Sequence, residues 1–282
     1  MSAELDLSSI APAVRAWLAE DVGRGDLTTA LVIPEGAHAA ARLEARERFI
    51  VAGLGVAGLC FQLVSAPSPT FAPKVDDGDL VKEGQVLALV EGPLRAILTA
   101  ERTALNILAR LSGIATLTDA YVSAAGSETV RVVDTRKTTP GLRVLEKYAV
   151  RVGGGSNHRF GLDDGILIKD NHIAAGGGIG AAVRRAKRGA PHGLKVEVEV
   201  ADVDGLREAV DAGADAVLLD NMSPEEVSAA VSEAAGRMLL EASGGVSLAN
   251  IGAYADTGVD LVSVGALTHS AGSVDVALEC EL

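Results

Sequence analysis

The segment that decides the fold is DAGADAVLLDNMSPEEVSAAVSEAAG, residues 211–236. It contains a short apolar run, Ala216–Asp220, that ends in a charged residue, as a buried strand of a parallel sheet often does. Ser223–Glu226 then supplies an N-cap, a proline at the first helical position and an acid three residues after the cap, which predict a helix over Pro224–Ala235. The stretch DTGVDLVSVG at 256–265 repeats the order of helix end, glycine, turn and buried strand. A strand–helix unit therefore recurs along the chain.

Short apolar runs alternate with helical stretches from about Thr129 onward. Helical patterns include Asp204–Ala212 and Leu248–Asp256. Strands that alternate with helices imply parallel βαβ crossovers, and this series predicts a closed or nearly closed (β/α) barrel ahead of an open doubly wound sheet. The glycine-rich stretches at 152–156 and 176–178 lack the GxGxxG spacing of a dinucleotide site. The predicted strands are Val130–Asp134, Gly165–Lys169, Leu194–Val200, Ala216–Asp220, Met238–Glu241 and Leu261–Gly265.

The first part of the chain has a different pattern. It predicts a helix at Ala11–Glu20, a strand within Ala39–Val51, and a long helix at Pro93–Leu111 whose leucines and isoleucines form one apolar stripe. Two short apolar runs in 75–91 flank Lys82–Gly84 and predict a hairpin. This piece is similar to the hairpin of biotinyl and lipoyl carriers, but it has no exposed lysine flanked by Met or Ala. We therefore interpret it as structural.

Composition limits the classes of function. With 282 residues the chain can form one large domain or two ordinary ones, and 48% hydrophobic residues provide a sizeable core. A net charge of −13 argues against nucleic acid or an anionic membrane as the main partner. Cys60 and Cys280 have no metal-type spacing. Neither a signal peptide nor an apolar run of membrane-spanning length is visible, so we expect a soluble, cytoplasmic protein.

Polar residues follow each of the predicted barrel strands. Active sites of (β/α) barrels lie at the carboxyl ends of the strands, so these residues are candidates for function. Any one of them is otherwise an ordinary solvated loop residue, but the whole set favours a site. The candidates are Asp134, Arg136 and Lys137, Lys169 and Asp170, Glu197 and Glu199, Asp220, Glu241 and Ser243, and Ser263 with Gly265.

Positive charge is concentrated in one part of this acidic chain. Residues 131–172 contain eight Lys or Arg and five Asp or Glu, and 8 − 5 gives +3, whereas the whole chain carries −13. A locally positive segment at strand ends predicts a focused site for an anion. The residues that we place in that site are Arg136, Lys137, His158, Arg159 and Lys169.

Two glycine turns and two acids complete the predicted site. Ser243–Gly245 and Val264–Ala266 follow the last two strands, where (β/α) barrels usually bind a phosphate monoester. Glu199 and Asp220 end neighbouring strands, and they suit either sugar hydroxyls and Mg²⁺ or the neutralisation of nearby lysines. The residues alone thus indicate a barrel enzyme for a phosphorylated sugar and a second anionic ligand.

With these motifs in place, the chain resembles the quinolinate phosphoribosyltransferases, a family of type II phosphoribosyltransferases. The resemblance extends from DLTT at 26–29 to VGALTH at 264–269 and covers nearly the whole chain. It rests on long contiguous motifs, namely ERTALNILARLSGIAT (101–116), DTRKTTPGLR (134–143), the block at 153–172, VEVEV (196–200), LLDNMSP (218–224) and EASGG (241–245).

The resemblance implies a fold, a reaction and an assembly. The fold is α/β: an N-terminal α/β sandwich domain at 1–112, joined by the tail 270–282, packs on an incomplete (β/α) TIM-like barrel at 113–269. The reaction is Mg²⁺-dependent phosphoribosyl transfer from phosphoribosyl pyrophosphate to quinolinate, with loss of CO₂, which yields nicotinate mononucleotide for NAD biosynthesis. The assembly is a homodimer whose active site combines both chains.

The resemblance also implies roles for individual residues. Lys137, Glu199 and Asp220 would be catalytic, and Glu199 and Asp220 would hold Mg²⁺. Arg102 would reach the site of the partner chain. The residues that it implies in substrate binding are Arg102, Thr135, Arg136, Lys137, His158, Arg159, Lys169, Glu199, Asp220, Ser243, Gly244, Gly245, Ser263, Val264, Gly265 and Ala266.

Four alternatives stay open at this point. A molybdenum-associated paralogue shares the framework, and a nicotinate-specific relative would transfer the phosphoribosyl group without decarboxylation. Lys169 at a strand end could instead form the Schiff base of an aldolase. The hairpin at 75–91 motivates a non-catalytic carrier.

Overall fold

A computed structural model describes residues 5–281 and divides them into two compact units. The first unit contains the described residues up to Leu117, Val144–Gly153 and the described residues from Ala271, and the second contains Thr118–Arg143 and Gly154–Ser270. This division groups 144–153 with the first unit, whereas the sequence analysis placed that segment in the barrel domain. Residues 1–4 and 282, at the ends of the predicted N-terminal domain and its tail, lie outside the described residues.

The first unit is built around an antiparallel sheet of four strands in the order β12-β1-β5-β3. A two-stranded antiparallel pair, β2 with β4, stands apart from it. Its elements are α1 (Leu7–Val22), α2 (Leu27–Val32), β1 (His38–Ala45), β2 (Phe49–Ile50), α3 (Leu54–Leu63), β3 (Thr70–Pro73), β4 (Leu80–Val81), β5 (Val86–Pro93), the first part of α4 (Leu94–Ala125), α5 (Arg143–Val152) from Val144, and β12 (Val276–Glu281).

The predicted hairpin at 75–91 is wrong, although its two strands exist. Gln85 N–H donates to the Lys82 carbonyl oxygen and closes a tight turn, but the strands on either side pair with different partners. The two-residue β4 pairs with β2, while β5 pairs with β1 and β3. The longer β5 satisfies its backbone groups in the four-stranded sheet, which a hairpin with β4 could not do. The observation that motivated the carrier alternative therefore disappears.

Helix α3 was not predicted from its glycine-rich sequence. The backbone N–H groups of Gly53 and Leu54 donate to the two carboxylate oxygens of Asp77, at 2.8 and 3.0 Å. A helix start leaves such N–H groups without partners inside the helix, and a carboxylate placed there stabilises it. Because Asp77 lies more than twenty residues further along the chain, no local capping signal was visible.

The long helix is confirmed, but it runs from Leu94 to Ala125 rather than ending at Leu111. The predicted apolar stripe is buried, with Ile97, Leu108 and Leu111 essentially inaccessible. The division between the two units falls inside this helix, after Leu117.

The second unit is a six-stranded parallel sheet with the strand order β6-β11-β10-β9-β8-β7. Its elements are the end of α4, β6 (Arg131–Val133), β7 (Ile166–Ile168), α6 (Asp170–Gly176), α7 (Ile179–Gly189), β8 (Val196–Val200), α8 (Val203–Ala212), β9 (Ala216–Asp220), α9 (Pro224–Ala234), β10 (Leu239–Ser243), α10 (Ile251–Ala255), β11 (Leu261–Ser263) and α11 (Ala266–His269).

All six predicted barrel strands are present in this sheet. The outermost strands β6 and β7 are not paired with each other, and an isolated parallel bridge joins Val133 to Ser156 instead. The fold class, an α/β protein with an incomplete (β/α) barrel, is thereby confirmed. The capping box is also confirmed, since Ser223 Oγ accepts from Glu226 N–H and the Glu226 carboxylate accepts from Ser223 N–H.

None of the helices within residues 5–281 combines the length and the apolar composition that a membrane-spanning helix requires.

Candidate active site

The carboxyl ends of the barrel strands surround a cavity of about 490 Å³. Parallel strands bring their carboxyl ends to the same edge of a sheet, so residues far apart in sequence meet there. Every residue that the resemblance places in substrate binding, except Arg102, lines this cavity, whereas the strand-end candidates Asp134, Asp170 and Glu197 do not. The lining consists of Thr135, Arg136, Lys137, His158, Arg159, Leu167, Lys169, Glu199, Leu218, Asp220, Asn221, Glu241, Ser243–Val246, Ser263–Ala266 and His269.

The predicted cations all line the cavity, namely Arg136, Lys137, His158, Arg159 and Lys169. Burial lowers the pKa of Arg159, and the positive charge of Arg136 lowers it further. Two neighbouring positive charges repel each other, and an anion that binds between them stabilises the charged form of both. Arg159 also donates to the Gly165 carbonyl oxygen at 2.9 Å, which fixes its side chain. The positive charges of Arg136 and Arg159 therefore favour an anion at this part of the cavity.

The two predicted acids lie on adjacent strands, β8 and β9. Lys169 Nζ donates to Glu199 Oε2 at 2.6 Å, and Asn221 Nδ2 donates to Asp220 Oδ2 at 2.7 Å. The ion pair supports a binding role for Lys169 over the Schiff-base role, because an amine nucleophile must lose its proton.

Lys137 lies beside the last glycine turn. Its backbone carbonyl accepts from Thr268 Oγ1 at 2.8 Å, and its N–H donates to Thr135 Oγ1 at 3.0 Å. A Cβ added to Gly265 would lie 3.1 Å from Lys137 Cδ and 3.2 Å from His269 Nε2. The flexible lysine side chain thus passes close over the backbone of the turn.

The other glycine turn packs closely on Asn221. Gly244 has φ +93°, and an added Cβ would lie 2.7 Å from Asn221 Cγ and 3.0 Å from its backbone nitrogen. Asn221 itself has φ +56°, and its N–H donates to the Ser243 carbonyl at 2.8 Å. A non-glycine residue in the left-handed region is uncommon, and Asn tolerates it better than most. Asn221 therefore ties the end of β9 to the turn after β10.

A buried cluster of His158, Glu197 and Glu241 forms part of the barrel interior. His158 Nε2 lies 3.2 Å from Glu197 Oε2 and 3.4 Å from Glu241 Oε2. Burial alone would lower the pKa of His158, but the two adjacent carboxylates outweigh it and raise this pKa to about 10. Burial raises the pKa of Glu241.

A contact at the other nitrogen of the His158 ring, Nδ1, disfavours protonation of that nitrogen. Arg159 N–H approaches His158 Nδ1 at 2.7 Å as a donor, so Nδ1 must act as an acceptor there. Two carboxylates outweigh one neutral contact between adjacent residues, and we therefore take the raised pKa as the dominant effect. In either protonation state Nε2 faces the acids.

A second cavity, of about 330 Å³, lies against the same cluster. His158, Arg159, Glu197 and Glu241 all line it, and three of them, His158, Arg159 and Glu241, also line the larger cavity. The segment His158–Arg159 therefore has open space on two sides.

Two features of the site were missed or underused in the sequence analysis. Glu197 and Glu241 were recognised as strand-end residues but received no role, and Asn221 was not singled out. The pattern could have suggested the two acids, because residues i and i+2 of a strand point to the same face. Glu197 precedes Glu199 by two in VEVEV, and Glu241 precedes Ser243 by two in EAS. The backbone conformation of Asn221 has no equivalent signal in a single sequence.

Arg102 does not line the cavity. It is an exposed residue of α4 and belongs to the first unit.

The site offers two groupings that could attract a cation. Among residues 5–281, the one set of three or more His, Cys, Asp or Glu with ligand atoms within 4.8 Å of one another is His158, Glu197 and Glu241. The ion pairs within that set already account for its arrangement. The predicted pair Glu199 and Asp220 supplies only two carboxylates, so a cation there needs oxygen atoms from substrate and water, as Mg²⁺ usually does.

Comparison with known proteins assigns the family. The family model described as "Quinolinate phosphoribosyl transferase, C-terminal domain" matches residues 114–279, and that of the N-terminal domain matches residues 26–112. A protein of Bacillus subtilis named "Probable nicotinate-nucleotide pyrophosphorylase [carboxylating]" is 44% identical over 93% of this chain and 90% of its own length. A Nicotiana tabacum protein named "Quinolinate phosphoribosyltransferase [decarboxylating] 1b" is 38% identical over 95% and 81%.

A solved structure agrees with this assignment. The nicotinate-nucleotide pyrophosphorylase from Francisella tularensis superposes with a TM-score of 0.94 at 40% identity, covering 100% of this chain and 99% of the other. Together with the matched family models, this likeness establishes that the chain belongs to the quinolinate phosphoribosyltransferase family.

Proposed function

We propose that the barrel cavity transfers the phosphoribosyl group of phosphoribosyl pyrophosphate to quinolinate and releases CO₂, forming nicotinate mononucleotide for NAD biosynthesis. The observation that carries this proposal is the content of one cavity: a set of cationic side chains, two glycine turns and two carboxylates. A dicarboxylate, a 5′-phosphate and a ribose each require one of these three groups.

The cationic side chains suit quinolinate. Arg136, His158, Arg159 and Lys169 would hold its two carboxylates, since guanidinium groups bind carboxylates with paired N–H donors. Thr135, at the start of this loop, would help to bind the substrates through its backbone and hydroxyl. A monocarboxylate such as nicotinate would leave part of this charge unmatched.

The glycine turns suit the phosphorylated sugar. Backbone N–H groups of Gly244, Gly245, Gly265 and Ala266 would hold the 5′-phosphate, as such turns do in barrels. Lys137, which passes over the second turn, would bind the pyrophosphate and neutralise charge as it departs. Glu199 and Asp220 would hold the ribose hydroxyls.

Mg²⁺ fits the donor set that is present. Glu199 and Asp220 are hard oxygen donors, and the contacts to Lys169 and Asn221 each use one oxygen of the respective carboxylate. The pair would hold the ion jointly with substrate phosphates. The ion would supply positive charge to the leaving pyrophosphate.

The chemistry requires little beyond positioning and charge. The pyridine nitrogen attacks ribose C1 as the bond to pyrophosphate breaks, and the carboxylates favour the positive charge that develops on the sugar. The ring is then a pyridinium. When the C–C bond to the adjacent carboxylate breaks, the electron pair left on the ring carbon is stabilised by the positive nitrogen until it takes a proton. Alignment of the reactants in one cavity provides most of the remaining acceleration.

The direct test is a product assay. Purified protein is incubated with quinolinate, phosphoribosyl pyrophosphate and Mg²⁺, and nicotinate mononucleotide and CO₂ are measured together, with nicotinate as a parallel substrate. We expect equal amounts of the two products from quinolinate and none from nicotinate. Transfer to nicotinate without CO₂ would favour the nicotinate-specific alternative, and no product from folded protein would reject the proposal.

We further propose a cytoplasmic homodimer in which Arg102 of one chain completes the site of the other. Its support is the exposed position of Arg102 in the ERTALN motif, outside the residues that line the cavity. The acidic composition and two unpaired thiols suit a reducing compartment.

A mixture of variants tests the shared site. If the site combines both chains, Arg102→Ala and Arg136→Ala chains should each be nearly inactive as homodimers. Coexpression should restore up to about a quarter of wild-type activity to the unfractionated protein and up to about half to purified mixed dimers, because random pairing makes half of the dimers mixed and each mixed dimer has one intact site. Activity of dimers isolated with two different affinity tags is the measurement. Confirmed mixed dimers without activity would contradict a site shared in this way.

A further inference from the structure

The cluster of His158, Glu197 and Glu241 contains two acids that the proposed chemistry does not use. Glu241 is among the most buried charged residues of the barrel, with a side-chain exposure of 1%. Placing a carboxylate in the interior is costly unless a partner compensates it. Its Oε2 lies 3.4 Å from His158 Nε2, and Glu197 approaches the same nitrogen at 3.2 Å. Two acids beside one ring nitrogen indicate that the position of the His158 ring is restrained.

The backbone next to the ring is also held by polar contacts. Asp134 Oδ1 accepts from His158 N–H at 2.9 Å, and Asp134 Oδ2 accepts from Asn157 Nδ2 at 2.6 Å. The next residue, Arg159, is held at its guanidinium end by the Gly165 carbonyl. The imidazole ring itself is approached at Nε2 by the two acids.

Packing does not provide this restraint by itself. His158 and Arg159 line both the larger cavity and the second cavity, so the segment is not backed by close-packed side chains on either open side. In a close-packed interior neighbouring atoms would define a side-chain position. Where open space lies on both sides, ion pairs and hydrogen bonds must do so instead.

We propose that Glu241, together with Glu197, is a positioning residue that fixes His158 and the adjoining Arg159 for recognition of the dicarboxylate substrate. The proposal rests on the proposed function, in which His158 and Arg159 hold quinolinate. Glu241 acts through His158 and does not touch the reacting atoms. It therefore contributes to the affinity and selectivity for quinolinate more than to the binding of phosphoribosyl pyrophosphate.

The test is Glu241→Gln, which keeps the shape of the side chain and removes its charge. We expect the KM for quinolinate to rise about tenfold or more, since a misplacement of about 1 Å can cost about 10²-fold. The KM for phosphoribosyl pyrophosphate should change less than about twofold, because the glycine turns are untouched. Thermal unfolding, measured in parallel, distinguishes a loss of folded protein, which removal of one partner of a buried ion pair can cause, from a loss of quinolinate affinity. Glu233→Gln, which breaks the exposed ion pair with Arg207 between α8 and α9, is the matched control and should leave both KM values unchanged.

A double-mutant cycle tests whether Glu241 acts through His158. The combined effect of Glu241→Gln and His158→Asn on the quinolinate KM should be clearly smaller than the product of the two single effects. Independent effects that multiply would overturn the proposal. Equal weakening of both substrates, or an unchanged quinolinate KM, would also overturn it. If Glu241→Gln does not fold, Glu197→Gln at the more accessible acid takes its place with the same expectations.

Arg159→Gln distinguishes a failure of this proposal from a failure of the proposed function. If Arg159→Gln leaves quinolinate binding intact, the proposed quinolinate subsite is itself wrong. If Arg159→Gln raises the quinolinate KM and neither acid variant does, the subsite stands and only the positioning role of the acids fails.

Discussion

Replacing Lys137 by methionine should lower kcat/KM for phosphoribosyl pyrophosphate by about 10²–10³-fold, the usual cost of removing one charge-stabilising donor at the reacting centre. Methionine retains most of the apolar stem that lies over Gly265, where the Lys137 Cδ atom lies 3.1 Å from the position of an added Cβ. The backbone contacts of Lys137 to Thr135 and Thr268 do not depend on its side chain. The variant should therefore fold normally and lose only the ammonium group. Steady-state kinetics with both substrates are the measurement.

A matched control distinguishes the effect of removing a charge at the site from the effect of removing a lysine charge elsewhere in the same unit. Lys187 forms an ion pair with Asp215 at 2.7 Å in the same unit, at the surface. Lys187→Met should leave kcat/KM unchanged and alter the free energy of unfolding by at most about 1 kcal/mol, as for other exposed ion pairs. Wild-type kinetics for Lys137→Met would remove Lys137 from the catalytic residues, whereas an equal loss in both variants would point to a general loss of folded protein.

The barrel could be predicted because its signals are local. Strand ends, caps and helices each occupy a short stretch, as in the unit from Ala216 to Ala234, and the capping box at Ser223 appears in the structure as expected. The position of the site follows from the same pattern, since the carboxyl ends of parallel strands meet at one edge. For this reason Arg136, Lys169 and Asp220 could be placed in one cavity before the structure was known.

Features that depend on distant partners could not be predicted in this way. Helix α3 begins on the carboxylate of Asp77, and β4 pairs with β2 instead of with its neighbour in sequence. The grouping of His158 with Glu197 and Glu241 brings together a loop and two strands that are not adjacent in the sheet. Sequence shows that each residue lies at a strand end or in a loop, but the distance between them depends on the curvature and order of the whole sheet.

The second large effect concerns Gly244. An added Cβ would contact the Asn221 amide group, with 2.7 Å to Cγ, and would lie 3.0 Å from the Asn221 backbone nitrogen. Asn221 cannot retreat freely, because its N–H donates to Ser243 and its side chain donates to Asp220. Displacing Asn221 would therefore move Asp220 and the turn itself. We expect Gly244→Ala to lower kcat/KM by about 10²-fold or more and to cost about 1–3 kcal/mol of stability through overpacking.

Gly213 provides the control, because it isolates the backbone conformation from the clash. Gly213 caps α8 with φ +81°, close to the +93° of Gly244, but an added Cβ there meets no atom within 4 Å. Gly213→Ala should cost only about 1 kcal/mol, the usual penalty of a left-handed non-glycine residue, and should leave both KM values unchanged. Urea unfolding and steady-state kinetics of the two variants measure both quantities. If Gly244→Ala behaves like Gly213→Ala, the turn tolerates a side chain and its close contact with Asn221 does not hold the site in shape. If Gly244→Ala instead loses activity while remaining folded, the contact between this turn and the end of β9 is what keeps Asp220 in position.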